Sequence, residues 1–252
     1  MLSAVKNTLG LLPGFETAYR VYLFAFRHDY WDELRSMHKF YSGLIRHDDL
    51  VFDVGANVGA FAKTFLALGA RVVAVEPVPS CIEALGRIRS EKLWVIPCAL
   101  GSTSGETTLH INTKRPTLST VSESWLAIAK QAERFKSEEW SQAMVVPVTT
   151  LDNLIVQYGV PAYIKIDVEG FEQQVLAGLT RLSSMLSFEY NCEAVEAAIK
   201  CLNLPVFVNA QFNFCPAGHV KKFPFRWTKN REELIEGLKN YESGDIFVQP
   251  GT

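Results

Sequence analysis

The chain has 252 residues, of which 48% are hydrophobic and 21% charged, so it is long enough to bury a sizeable core and has the composition of an ordinary soluble globular protein. A formal net charge of −2 argues against a nucleic acid as the main partner. Five scattered cysteines predict reduced thiols in a cytoplasmic protein, without a disulfide framework or a zinc site. No apolar run reaches the ~18 residues that span a membrane, and the first residues lack the pattern of a signal peptide.

Residues 1–47 are rich in aromatic residues at helical spacing, such as Tyr22 and Tyr30, with arginines such as Arg27 between them. This pattern predicts an N-terminal helical cap that precedes a single domain over residues 48–252. The cap either packs on the sheet edge or roofs the substrate site, or else it forms a homo-oligomer or membrane-surface contact. The second alternative arises because aromatic residues and arginines are enriched at interfaces.

The most informative stretch begins with an apolar run at residues 50–54, as expected for a strand buried on both faces. Gly55 and Gly59 follow, and then a helical pattern over residues 61–68 and a second apolar run at residues 72–75. This order predicts a strand–turn–helix–strand unit of a parallel sheet. In such a unit a ligand lies across the carboxyl ends of the strands, against the glycine turn and the helix amino terminus.

Two acidic residues narrow the choice of ligand. Glu76, followed by Pro77, ends the second strand, where a carboxylate suits hydrogen bonds to the ribose of a nucleoside cofactor. Asp53 stands where the dinucleotide fingerprint has its first glycine, so the turn reads Asp-x-Gly-x-Asn-x-Gly, with Asn57 at its centre. A carboxylate there repels a pyrophosphate, by ~4 kcal/mol at about 4 Å and a dielectric of about 20. It suits the ammonium and sulfonium groups of S-adenosylmethionine, which we predict as the cofactor; a dinucleotide and a turn that binds nothing are the alternatives.

A third strand is predicted at residues 93–96, and the segment 97–101 lies at its carboxyl end. The adenine of the cofactor lies beside this turn in the predicted architecture, so Cys98 and Ala99 are expected to offer backbone groups to its edge. A reactive thiol is the alternative role for Cys98.

A long polar segment separates two further predicted strands, at residues 107–111 and 145–148. The segment, residues 113–143, is partly helical and rich in hydroxyl groups. Because an excursion of this length is uncommon in a compact domain unless it has a function, we interpret it as a lid over the acceptor.

The second informative stretch, residues 162–178, predicts a buried strand that delivers Asp167 and Glu169 to its carboxyl end, followed by a turn at Gly170 and a helix. Asp167 is the first candidate for a general base, because it ends the strand beside the donor site, and Glu169 is the second. Either carboxylate could instead hydrogen-bond the backbone of the following turn or orient Lys165.

The remainder of the chain predicts strands at residues 186–190, 206–208 and 245–248. Between the last two, residues 211–230 predict an aromatic and basic loop that could close over an acceptor. His219 in this loop is a third candidate base.

These motifs together resemble the FkbM family of S-adenosylmethionine-dependent methyltransferases. The resemblance covers about residues 48–250 and rests on the strings VFDVGANVGAFA, VVAVEPVP, PCALG, VPVTTLDNL and YIKIDVEGFEQQVLAG, of which the last is the most specific. It implies an α/β, Rossmann-like class I methyltransferase fold: a seven-stranded, mostly parallel sheet flanked by helices, with its last strand antiparallel. It also implies methyl transfer to a hydroxyl of a sugar, glycan or polyketide-like small molecule, with S-adenosylhomocysteine as the product.

Carried over by position, the resemblance implies that the glycine turn cradles the methionine end of the donor. The residues of this cradle are Asp53, Gly55, Asn57 and Gly59. Glu76 would hold the ribose, and Asp167 and Glu169 would lie where the donor meets the acceptor, so that Asp167 also contacts the donor.

Several alternatives stay open at this stage. No metal is predicted, but a magnesium ion held by Asp167, Glu169 and Glu189 would suit the chemistry of an oxygen methyltransferase. Lys221, Lys222 and Arg226 would suit an anionic acceptor, although a solvated basic loop is the favoured interpretation. The alternatives to a methyltransferase are a nicotinamide-dependent oxidoreductase, which Asp53 disfavours, and a non-catalytic scaffold that binds S-adenosylmethionine.

Overall fold

The computed structural model describes residues 28–218 and 222–251. Its first element is helix α1 (His28–Tyr41), so most of the predicted N-terminal cap, with its predicted oligomer contact, lies outside the described residues. The candidate base His219 lies outside them as well. Within the described residues, no helix combines the length and the apolar character needed to cross a membrane.

The strands of the described residues form two sheets. They are β1 (Leu50–Val54), β2 (Arg71–Val75), β3 (Leu93–Ile96), β4 (Ala99–Leu100), β5 (Gly105–Asn112), β6 (Trp140–Thr149), β7 (Tyr163–Ile166), β8 (Met185–Asn191), β9 (Gln211–Pro216) and β10 (Ser243–Gln249). Seven of them form the main sheet in the order β3-β2-β1-β7-β8-β10-β9. The first five run parallel, and β10 pairs antiparallel with both β8 and β9. The predicted seven-stranded, mostly parallel sheet with an antiparallel last strand is confirmed.

Helices cover both faces of this sheet. After α1 they are α2 (Ala60–Ala67), α3 (Pro79–Gly86), α4 (Glu123–Ala129), α5 (Leu151–Tyr158), α6 (Glu172–Ala177), α7 (Val195–Leu202) and α8 (Arg231–Leu238). Because successive side chains of a strand point to opposite faces, Phe52 and Val54 belong to the hydrophobic core that includes residues of α5 to α8, whereas Val51 belongs to the core that includes residues of α1 to α3. Tyr41 at the end of α1 is 1% exposed and contacts the ring of Tyr163 in β7, so α1 contributes to the core that contains Val51.

The second sheet is small and has the order β4-β6-β5. Its strands β5 and β6 pair antiparallel, as the sequence predicts for residues 107–111 and 145–148. The chain between them includes α4 and has a small hydrophobic core of its own. This core contains Leu118, Trp125, Ala129 and Phe135.

One stretch of the main sheet was predicted wrongly from its sequence. Residues 206–208 are not a strand: Pro205–Phe207 forms a single 3₁₀ turn, and Val208 is 73% exposed. The strand is β9, within the segment 211–230 that was predicted to be a loop. Its Phe212 is fully buried because β10 pairs with β9 along its whole length, a contact between distant parts of the chain that local patterns do not report.

Candidate active site

A cavity of about 320 Å³ lies at the carboxyl ends of the parallel strands. It is lined by residues 54–58 at the end of β1, residues 75–78 at the end of β2, residues 98–100 after β3 and residues 167–169 after β7. The strand order reverses between β1 and β7, and ligands of open α/β sheets bind at such a reversal.

The turn after β1 requires glycine at Gly55. This residue has a φ of 77°, and a Cβ atom there would lie 1.7 Å from the carbonyl oxygen of Asp167. The amides of Gly55 and Ala56 donate to the carbonyl oxygen of Val75, at 2.9 and 3.0 Å. The turn is therefore joined to the end of β2 on one side and packed against the end of β7 on the other.

Glu76 ties the turns after β1 and β2 together. Its Oε2 accepts a hydrogen bond from the amide of Asn57, and its Oε1 accepts one from the amide of Val78, both at 2.8 Å. The residue is only 4% exposed, and burial raises the pKa of Glu76 to about 7 although these two N–H groups oppose the shift. Its carboxyl group is thus held by the main chain in the cavity wall.

Asp53 lies behind this wall. It is 1% exposed, it does not line the cavity, and its Oδ2 is buried without a hydrogen-bond partner. Burial raises the pKa of Asp53 to about 6, although the charge of Lys165, opposite it in the register of β1 and β7, opposes the shift. The contact predicted between Asp53 and the methionine end of the donor stays a prediction.

Three carboxylates form the opposite wall. Asp167, Glu169 and Glu189 each have an oxygen within 4.8 Å of the others, and all three line the cavity. Oxygens at this spacing are close enough to bind a common cation. Burial, and then the charges of Asp167 and Glu169, raise the pKa of Glu189 well above its ordinary value.

Asp167 also contacts a buried lysine. The Nζ of Lys165 donates to Oδ2 of Asp167 at 2.7 Å, and it lies 4.2 Å from the ring centroid of Phe61. The lysine side chain is 1% exposed, whereas that of Asp167 is 33% exposed. This ion pair therefore joins the interior of the sheet to the surface of the cavity.

The turn that carries Glu169 is supported from two sides. Glu169 has a φ of 52°, and its carbonyl oxygen accepts a hydrogen bond from Oγ1 of Thr120 at 2.7 Å. Gly170 has a φ of 87°, and a Cβ atom there would lie 2.4 Å from Cβ of Trp125. The amide of Gly170 donates to Oε1 of Glu172 at 3.2 Å. The segment between β5 and β6 thus packs directly on the carboxylate wall.

A cavity with a glycine turn, an acidic residue after β2 and carboxylates after β7 agrees with the resemblance seen in the sequence. Residues 53–198, more than half of the chain, match the Methyltransferase FkbM domain family. The chain belongs to the FkbM methyltransferase family. Its methyl donor is S-adenosylmethionine. Family membership decides against the nicotinamide-dependent oxidoreductase.

No curated protein matches this FkbM family member. Among solved structures, it is similar to a precorrin-6y C5,15-methyltransferase from Geobacter metallireducens GS-15, with 9% identity, 87% of each chain covered and a TM-score of 0.42. An rRNA methylase from Streptococcus thermophilus shares 10% identity over 85% of this chain and 94% of its own, with a TM-score of 0.42. The plantazolicin methyltransferase BpumL, solved in complex with SAH, shares 10% identity over 98% and 95%, with a TM-score of 0.41. Similarities of this size do not bear on the substrate.

Most of the site residues predicted for the methyltransferase line the cavity. They are Gly55, Asn57, Glu76, Pro77, Cys98, Ala99, Asp167 and Glu169. Gly59 does not line it; with a φ of 82° it leads into α2, and a Cβ atom there would lie 2.8 Å from Leu85 of α3. Gly59 therefore permits the close packing of two helices that flank the donor side.

Cys98 is a buried thiol. Burial raises the pKa of Cys98 to about 11, so the thiol is neutral at physiological pH and a poor nucleophile. This environment favours the backbone role predicted for residues 98 and 99 over a reactive cysteine.

Sequence reasoning missed part of the cavity wall. Phe61 of α2 and Phe171 line it, as do residues 116–117 and 119–121 of the predicted lid. The length of the segment indicated a functional element, and its hydroxyl residues at 117, 119 and 120 are among those that line the cavity. Whether the segment opens and closes stays a prediction.

Proposed function

We propose that this methyltransferase transfers the methyl group of S-adenosylmethionine to a hydroxyl group of a sugar, glycan or polyketide-like small molecule. The observation that carries the proposal is that Asp167 and Glu169 line the same cavity as the glycine turn and Glu76. The group that binds the donor and the groups that accept a proton are therefore close together.

On the donor side, Gly55 and Asn57 would hold the methionine end, and the backbone at residues 98–99 would meet the adenine edge. Glu76 would bind the ribose. Each of its carboxylate oxygens accepts one main-chain N–H group at 2.8 Å, and each has a second lone pair that can accept a ribose hydroxyl.

In the reaction, the acceptor oxygen attacks the methyl carbon in line with the carbon–sulfur bond, which breaks and leaves its electrons on sulfur. Because the donor is already activated, alignment contributes most, and well-oriented intramolecular reactions gain ~7–11 kcal/mol from this source. The acceptor hydroxyl gives its proton to a carboxylate, which contributes about 10²–10⁴-fold. Asp167 is the first candidate for this base, with one oxygen bound to Lys165 and the other available, and Glu169 is the second.

The charges of the cavity support a neutral acceptor over an anionic one. Within the described residues, four acidic residues line it and no lysine, arginine or histidine does. The acidic residues are Glu76, Asp167, Glu169 and Glu189. An anionic acceptor would therefore find no cationic partner there, whereas hydroxyl groups can form hydrogen bonds with carboxyl groups.

The first test is a thermal shift with S-adenosylmethionine, S-adenosylhomocysteine and NAD. A ligand at 100 times its dissociation constant adds ~2.7 kcal/mol, and each kcal/mol raises the midpoint by about 2–4 °C in a domain of this size. We expect both adenosyl ligands to raise the midpoint and NAD to leave it unchanged. No rise with either adenosyl ligand would contradict the proposal.

The second test follows labelled methyl groups from S-adenosylmethionine to panels of neutral sugars, acidic sugars, polyketide alcohols and amines, with and without EDTA. We expect label in a neutral alcohol, and much less with Asp167→Asn. Label only in amines would overturn oxygen transfer, and donor binding without transfer to any panel would favour a scaffold. A loss of transfer with EDTA would assign a metal ion to the carboxylate wall.

A further inference from the structure

Lys165 is a buried lysine of β7 that the proposed reaction does not use directly. Its Nζ lies 2.7 Å from Oδ2 of Asp167 and 4.2 Å from the ring centroid of Phe61. Asp167 and Phe61 line the cavity, whereas Lys165 does not. The ammonium group therefore contacts the cavity wall from the interior of the sheet.

Acidic side chains of three other strands interact with the charge of this ammonium group. Asp53 of β1 lies opposite Lys165 in the sheet register, and Asp245 of β10 and Glu189 of β8 also interact with its charge. Burial alone lowers the pKa of Lys165, but Asp167, Asp245 and Asp53 outweigh it and raise the pKa above its ordinary value. Lys165 is therefore charged at neutral pH.

The main chain of Asp167 is held independently of Lys165. Its amide donates to the carbonyl oxygen of Val54 at 2.9 Å, and its carbonyl oxygen packs against Gly55. With the main chain held, the freedom left to the carboxylate is rotation about its side-chain bonds. The ion pair with Lys165 restricts this rotation, and because it engages Oδ2, Oδ1 is left for the donor or the acceptor.

We propose that Lys165 is a positioning residue, which holds the carboxylate of Asp167 in the orientation needed at the methyl donor. The inference rests on the proposed function, in which Asp167 contacts the donor. Lys165 acts on the donor only through Asp167.

A positioning role and a simple charge effect predict opposite results for Lys165→Met. S-adenosylmethionine carries a cationic sulfonium, so the removal of a nearby positive charge would by itself tighten its binding. If Lys165 positions Asp167, the substitution weakens binding instead, because the oriented contact is lost. We expect the dissociation constant of S-adenosylmethionine to rise about tenfold, which corresponds to one charged hydrogen bond.

The experiment is a double-mutant cycle measured by calorimetry with S-adenosylmethionine, on wild type, Lys165→Met, Asp167→Asn and the double variant. Lys92→Met is the matched control, because Lys92 also pairs with an aspartate at 2.7 Å, Asp48, but away from the cavity. We expect each single variant at the ion pair to bind more weakly, and the double variant to match Asp167→Asn within about twofold. The control should bind like wild type.

Lys165→Met leaves the carboxylates of Asp167 and Asp53 without their counter-ion, so thermal unfolding is used to establish whether the variant is folded. The double variant removes both charges, so its comparison with Asp167→Asn then carries the test, and equal binding is again the expected result. The inference would be overturned if Lys165→Met bound S-adenosylmethionine as tightly as wild type or more tightly. It would also be overturned if the double variant bound it much more weakly than Asp167→Asn. If wild type does not bind S-adenosylmethionine, both the inference and the proposed function are contradicted. If wild type binds it and neither substitution changes the dissociation constant, only the inference is contradicted.

Discussion

On each side of the cavity an acidic side chain follows the end of a parallel strand, but the two side chains are held in different ways. Glu76 follows β2, and both of its oxygens accept main-chain N–H groups at 2.8 Å. Asp167 follows β7, and its carboxylate is held by the side chain of Lys165 at 2.7 Å. Main-chain donors belong to every sequence with this fold, whereas a side-chain donor can be replaced by one substitution. The orientation of Glu76 is therefore built into the fold, whereas that of Asp167 depends on a particular neighbour.

The two carboxyl groups also differ in their exposure to solvent. Glu76 is 4% exposed, and burial raises its pKa to about 7, whereas the side chain of Asp167 is 33% exposed. A buried group that the main chain holds in place suits recognition of the donor. A partly exposed group with a free oxygen suits proton transfer, because it can reach an incoming acceptor.

The largest effect is expected where the two sides meet. Gly55→Ala places a Cβ atom 1.7 Å from the carbonyl oxygen of Asp167 and requires a φ of 77°. Since neither backbone can move without breaking the sheet, we expect the free energy of unfolding to fall by more than about 4 kcal/mol. Urea denaturation measures this change. Gly86→Ala is the control, because no atom lies within 4 Å of its added Cβ, and a loss at Gly55 no larger than at Gly86 would contradict the close contact.

The next effect is the pH dependence of stability that comes from Glu76. Its pKa rises from 4.5 to about 7 on folding, so the folded state binds more protons between these values and stability falls as the pH rises through them. The change amounts to about 3 kcal/mol for this group alone. Urea denaturation of wild type and Glu76→Gln from about pH 4 to pH 8 should therefore give curves that converge as the pH rises. Parallel curves would show that folding does not shift the pKa of Glu76.

Glu76→Gln also tests whether the two main-chain N–H groups hold the side chain that we propose to bind the donor. Glutamine has one acceptor oxygen for the two N–H groups, so we expect a loss of about 1–3 kcal/mol at about pH 5 and weaker binding of S-adenosylhomocysteine. Thermal unfolding with and without the ligand separates the two losses. Glu83→Gln, which removes an exposed pair with Arg87, is the control and should change neither. Unchanged ligand binding in Glu76→Gln would argue against contact with the ribose.

The smallest effect is expected at the support of the acceptor side. Thr120→Val keeps the shape of the side chain but removes both hydrogen bonds of its hydroxyl, which donates to the carbonyl oxygen of Glu169 at 2.7 Å and accepts from the amide of Ser122 at 2.9 Å. We expect a loss of about 1–2 kcal/mol in thermal unfolding. Methyl transfer should fall more than donor binding, because Glu169 lies in the wall that we propose to face the acceptor. An equal fall in methyl transfer and in donor binding would mean that the lid segment supports the whole cavity and not only the wall that contains Glu169.

The sequence by itself determined the strands of the parallel sheet, the glycine turn and the family. Residues 50–54 and 163–166 are recognisable because a strand buried on both faces reads as an apolar run. Thr150 caps α5, because its hydroxyl accepts from the amide of Asn153, and a threonine just before a helix is a local signal of this kind. These features depend on residues that are close together in the chain.

Only the tertiary structure decided which side chains reach the cavity. Asp53 and Glu76 both follow from local patterns, but the order of the strands buries the first behind the wall and places the second in it. The same order sets the spacing, within 4.8 Å, of the carboxylates of Asp167 and Glu189, which the sequence had only grouped as possible ligands, and it buries β9 beside β10. Contacts of this kind join residues far apart in the chain, and the periodicity of one segment carries no information about the segment that will pack against it.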